Sequence, residues 1–174
     1  MGPDPGVGEA VDDPGGADAR AGAQLQDPAT GRELCRVSQS GAPDIAAAAA
    51  RKGGVRLADD LDALLARMRA DVANLRALQG HALDYWKHLV ERGGNIAFRL
   101  AFNSMTKTYT QVWDVLATVL EAEFRDFENL GAIALAVRAR DADAARTAGH
   151  RHVEIGRQAL ERALDAVEKQ GGRV

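Results

Sequence analysis

Two side chains able to bind a metal or move a proton stand four residues apart in the stretch LDYWKHLVERGGN: Asp84 and His88. On a helix, residues i and i+4 are neighbours, so the carboxylate and the imidazole point the same way. His81 lies three residues before Asp84 and shares that face one turn earlier. Leu83 and Trp86 beside them suggest that the face looks inward. Two chemistries fit. One is a local helical ion pair, or a histidine hydrogen-bonded in the core, and spacing alone favours it. The other is a metal site, because neutral imidazole with a carboxylate forms a ligand set for borderline divalent ions.

The remaining two histidines lie in AARTAGHRHVEIGRQAL. His152 falls on the helical stripe Ala145, Ala148, His152, Ile155, Ala159 and is expected inside; His150, two residues away, is expected to face solvent. An inward His152 could meet an inward Asp84 and His88 in the interior of a helical bundle, a common place for metal sites. Arg99 and Asn103 belong to a polar band with Ile96, Thr106 and Thr110. Such a band could hold an acidic ligand through the arginine fork, or it could be a solvated helix face. Nucleophilic catalysis finds little support. The three serines, Ser38, Ser40 and Ser104, lack a nucleophile-elbow context. Cys35 has Arg32 and Arg36 nearby but no adjacent histidine. No loop is built to cradle phosphate, and no enzyme is expected; the alternatives are a metal-dependent enzyme on the same bundle, with Asp84, His88 and His152 holding the ion, and a helical interaction domain without a ligand.

The elements that must position these residues read as helices. Residues 1–30, rich in Gly, Pro and Asp, bury too little to offset their ordering entropy and read as a flexible linker. A helix is expected around 31–38 and another from Pro43, stopped by Gly53 and Gly54. Leu57, Leu61, Leu64, Leu65, Met68, Val72, Leu75 and Leu78 form one apolar stripe through about 58–78. The segment carrying Asp84 and His88 follows and ends at Gly93 and Gly94. A long helix begins at Asn95 and is marked by Phe98, Phe102, Met105, Tyr109, Val112, Leu116 and Leu120. Another covers about Glu121–Arg138, and the last, about 142–169, has Asp141 as its N-cap. No alternating strand pattern occurs. The predicted class is all-α, an antiparallel bundle of six or seven helices over 31–170.

Composition agrees. The chain of 174 residues is 46% hydrophobic and 27% charged, with 5% aromatics, as expected of a helical domain built on Ala, Leu and Val. A formal net charge of −3 supplies no basic field for nucleic acid or an acidic membrane, and direct DNA binding is not expected. One cysteine excludes an internal disulfide, no apolar run is long enough to span a bilayer, and the cytoplasm is the default location.

The order and spacing of RELCRV, APDIAAAAARKGG, DLDALLARM, LDYWKHLVERGGN, AFNSMTKTYTQV and AVRARDADAARTAGHRH resemble the FCD domain. This is the C-terminal effector-binding and dimerisation domain of GntR-type transcriptional regulators of the FadR subfamily. The resemblance implies a bundle with a central ligand cavity, a homodimer or a mixed dimer with a full-length regulator, and a small organic acid or fatty acyl-CoA as effector. It also implies a divalent metal, zinc or nickel, held by Asp84, His88 and His152 in the positions of the metal-binding members. A fourth position of that set falls near Leu130, where no histidine stands. AFNSMTKTYTQVW resembles instead the members that bind acyl-CoA without metal, and His81, Arg99, Asn103 and Tyr109 are the expected effector contacts. The winged helix-turn-helix that precedes the domain in the family is not found in this chain. GVGEAVDDPGGAD resembles the end of its wing and the linker.

Overall fold

The computed structural model describes residues 41–111 and 113–171, except for the side chains at 108–111, 113–115, 167, 168, 170 and 171. The expected linker at 1–30, the helix expected at 31–38 and Cys35 lie outside the described residues. Within them the chain forms eight helices and no strand, so the all-α expectation holds. These are α1 (41–52), α2 (Val55–Ala70), α3 (Leu75–Gly93), α4 (Ile96–Gln111), α5 (Trp113–Val119), α6 (Glu121–Phe124), α7 (Phe127–Ala139) and α8 (Ala142–Gly171). Among the described residues no helix is long and apolar enough to cross a membrane.

The periodicity of α2 explains the centre of the core. Leu57, Leu61, Leu64, Leu65 and Met68 recur at helical spacing and are all buried. Each such side chain, once removed from water, contributes about 1.5–3 kcal/mol. They pack against α3 and against α7, whose Leu130, Ile133 and Val137 are also buried. The other side of α7 lies on α8, which makes α7 the middle of three layers. Gly54 (φ 72°) turns the chain into α2, and Gly94 (φ 63°) ends α3; both sit in the left-handed region where a Cβ is strained.

Two expected helix boundaries are corrected, for one reason. The stripe through 58–78 is not one helix: it breaks at 71–74, where the Asn74 side chain accepts the amide N–H of Ala77 and starts α3. The helix expected over Glu121–Arg138 also breaks, at Arg125 and Asp126, where Asp126 accepts the Asn129 amide and starts α7. A short side-chain oxygen at an N-cap satisfies a backbone donor that a continuous helix would satisfy itself. Apolar periodicity runs across both caps without a gap, so spacing alone missed them. Asp141 caps α8 as expected, accepting the N–H groups of Asp143 and Ala144.

Tyr85 ties α3 to α7. Its hydroxyl, fully buried, donates to the Leu130 carbonyl at 2.7 Å. Burial, with a smaller contribution from Asp62, pushes the phenol well above its ordinary pKa, so it stays a donor. Tyr85→Phe removes the bond and leaves an extra buried carbonyl lone pair. The expected loss is about 1 kcal/mol, read as a lower urea midpoint with an unchanged slope.

Candidate functional site

The structure separates the predicted residues. On α3 the buried stripe is Leu78, Ala82, Tyr85 and Leu89. At 3.6 residues per turn, Leu83 and Trp86 fall on one flank of that stripe and His81, Asp84 and His88 on the other. Among the described residues Leu83 and Trp86 line the larger cavity, and His81, Asp84 and His88 do not. Asp84 is exposed, and His88 turns Nδ1 back to the Asp84 carbonyl at 2.8 Å. His81 Nε2 meets Asp71 Oδ2 at 2.8 Å and pins the turn between α2 and α3. Arg99 and Asn103 are exposed, on the side of α4 away from the cavity, and the Tyr109 side chain lies outside the described residues. Leu130, at the position where the resemblance called for a histidine, is a core side chain.

His152 is where the stripe placed it, buried at 1% exposure, while His150 is exposed. Its partners were not anticipated. Nδ1 lies 3.0 Å from Asp126 Oδ2, and Nε2 lies 3.6 Å from Glu123 Oε1. The Trp86 ring rests on the imidazole with centroids 5.8 Å apart. The break between α6 and α7 is what brings both carboxylates to the ring. Asp126 is the cap of α7, and Glu123 stands three residues earlier on the short helix α6. A sequence signal existed, an aspartate three residues before Asn129, but it was submerged in the apolar pattern of the segment read as one helix.

The electrostatics of the three groups differ. Glu123 is pushed up to about 7, chiefly by burial; His152 opposes the shift and Asp126 adds to it. Burial would raise Asp126 too, but hydrogen bonds from His152 and Asn129 prevail and hold it below the usual carboxylate range. A carboxylate held ionised can only accept, so Nδ1 of His152 donates to Asp126 Oδ2. Glu123 Oε2 occupies the space above Gly156 that a Cβ there would fill.

The expected zinc or nickel ion finds no matching ligand set. Asp126 and Glu123 address opposite edges of one imidazole, so the three groups do not converge on a point as tetrahedral or octahedral coordination requires. Asp84 and His88 stand on the wrong flank of α3. Among the described residues no three His, Cys, Asp or Glu side chains are gathered as metal ligands.

The cluster forms part of the wall of a cavity of about 140 Å³ enclosed by α1, α3, α4, α5, α6 and α8. Ile45, Trp86, Phe98, Phe102, Met105 and Phe124 supply much of the remaining wall. Among the described lining residues only Glu123, His152 and Arg157 are ionisable. Arg157 is already engaged: its three nitrogens donate to Glu154 and Glu161.

No curated protein and no solved structure matches the chain. The family described as "FCD domain" matches residues 42–155, the span from α1 into α8 that encloses the cavity. FCD domains are effector-binding domains of GntR-type regulators and are found in regulators rather than enzymes. With more than half its length in that match, this chain belongs to the FCD domain family.

Proposed function

We propose that this bundle is the effector-sensing and dimerisation domain of a GntR/FadR-type transcriptional regulator, and that its effector enters the cavity beside Trp86 and His152. The observation that carries the reading is the cavity itself, apolar over nearly all its wall with a few polar groups at one place, the usual make-up of a small-molecule site. Its volume, about 140 Å³, is close to that of an engineered apolar cavity in another protein that takes up benzene, of roughly 150 Å³. An alkyl or acyl chain matches these walls. Of the two effector classes the family suggests, a fatty acyl group is therefore better supported than a small, wholly polar acid. Arg99 and Asn103 contribute nothing to a ligand in this cavity.

A ligand acts by binding one packing of the helices better than another. Here it would bridge α4 and α5 on one side and α6 and α8 on the other, and so bias how a dimer carries its DNA-binding domains. The test is a thermal-shift series with fatty acyl-CoAs of increasing chain length and with small organic acids, accompanied by sedimentation velocity. A ligand at about a hundred times its Kd adds about 2.7 kcal/mol, a rise in Tm of several degrees. No shift with any compound removes the effector reading, and a monomer at every concentration removes the dimer.

A further inference from the structure

Resting on the cavity as the effector site, we infer that Arg157 holds the anionic end of its ligand, with the alkyl chain lying inward against Trp86, Phe98 and Phe102. Among the described residues of the cavity wall, Arg157 is the one cation. It belongs to the surface as well as to the wall, its side chain 29% exposed, so it stands where the cavity meets solvent. The inner polar patch is unsuited to an acid. Glu123 and Asp126 already flank His152 there, with side chains 17% and 8% exposed, and a third carboxylate would meet like charge. An amphiphilic anion therefore seats with its head at the arginine and its chain toward the aromatic wall.

The guanidinium is arranged for exchange. Arg157 offers five N–H donors in a planar fork. Glu154, three residues earlier, takes the side edge: its two oxygens accept from Nε and Nη2. Glu161, four residues later, accepts from Nη1 with both oxygens, at 2.6 Å each. Among the described residues the second N–H of Nη2 has no acceptor. Moving Glu161 aside opens the whole Nη1–Nη2 edge, the geometry that grips a carboxylate or a phosphate through two parallel bonds. Glu161 gives way easily. Its side chain is 52% exposed, water satisfies it once it turns outward, and an exposed i,i+4 pair contributes little. Glu154 stays to hold the fork, since Gln158 Nε2 also donates to it at 3.0 Å. Exchanging one carboxylate for another anion leaves the arginine compensated, whereas a neutral ligand has no charge with which to displace Glu161.

The experiment titrates the purified chain at pH 7 with hexanoate, hexanoyl-CoA and n-hexanol, whose six carbons suit a cavity of this volume. Calorimetry and tryptophan fluorescence read the binding. The better of the two anions is expected to bind about tenfold or more tightly than hexanol, as a charge-assisted hydrogen-bonded pair implies. Arg157→Met is expected to remove that advantage while leaving hexanol within about twofold. Glu161→Gln is expected to tighten the anion by about threefold or more, because the competitor loses its charge. A purely structural role for Arg157 gives no such gain. Hexanoyl-CoA ahead of hexanoate assigns the fork to a phosphate, and the reverse order assigns it to a free carboxylate. Hexanol binding as tightly as both anions overturns the anchor and leaves the effector cavity standing, as do anion affinities that ignore both substitutions. If none of the three binds, the effector reading falls as well. Glu161 is exposed, so its variant keeps the test decisive even where Arg157→Met folds poorly.

Discussion

His152→Ala lowers the stability of the chain by about 3–5 kcal/mol, whereas Asp84→Asn and His88→Gln each change it by no more than about 0.5 kcal/mol. The contrast follows from position. His152 is the only described partner of the Glu123 carboxylate, and it supplies one of the hydrogen bonds that keep Asp126 ionised. Removing it leaves the buried Glu123 carboxyl without its partner and Asp126 without one of its donors, across a void. It also leaves the Trp86 ring without the imidazole it rests on, and a cavity the size of a ring is not refilled by small shifts of neighbours. Asp84 is exposed, and His88 bonds only to the carbonyl one turn before it. Urea unfolding followed by circular dichroism at pH 7 measures all three. Equal losses at positions 84, 88 and 152 would mean that the three residues act together after all, as a metal site would require.

Glu123→Gln has the opposite sign. The Glu123 carboxyl titrates at about 7 in the folded chain against an ordinary value of 4.5. Between those two values the folded chain holds a proton that the unfolded chain has released. Wild-type stability therefore falls as pH rises across that window and levels off above it. The fall is on the order of 3–4 kcal/mol, since each unit of difference corresponds to about 1.4 kcal/mol. Glutamine cannot ionise, so the variant lacks this slope and exceeds the wild type above pH 7, while the two converge near pH 4.5. Asp126 acts in the other direction and elsewhere. Its depressed value makes its contribution present above the ordinary carboxylate range and lost as pH falls below it, so the two effects occupy separate windows. Thermal melts of both proteins from pH 2 to 8 resolve them. Parallel curves for wild type and variant would show that Glu123 is as hydrated as a surface carboxylate.

How far the site could be read in advance depended on which residue carried the signal. His152 was legible because it sits within one uninterrupted helix, where burial follows directly from 3.6-residue periodicity and its neighbours Ala145, Ala148 and Ala159 share the stripe. Asp84 and His88 were misplaced because α3 has apolar residues on more than one face. Leu83 and Trp86 border the cavity from one flank while the core stripe runs beside them, so apolar neighbours could not say which flank the carboxylate and imidazole occupy. Glu123 and Asp126 went unnoticed because the helix breaks between them, at Arg125 and Asp126. Within a single helix over 121–138 they would have been two ordinary acidic residues.

What the sequence determined by itself was the all-α class, the glycine stops at 54 and 94, the Asp141 cap and the inward turn of His152. All of these are set by neighbours within a turn or two of helix, where backbone geometry and local hydrogen bonds decide. The sequence also carried the FCD family pattern, which extends over the span that encloses the cavity. The tertiary structure alone decided which polar residues meet. Glu123 and His152 are 29 positions apart, and they face each other only because Asp126 ends one helix and starts the next at the point where α8 passes. That juxtaposition turns two acidic residues and a histidine into a buried cluster at the wall of an apolar cavity, with Asp84 and His88 left outside it. Local spacing specifies direction around one helix axis. Only the packing of several helices specifies what lies in that direction.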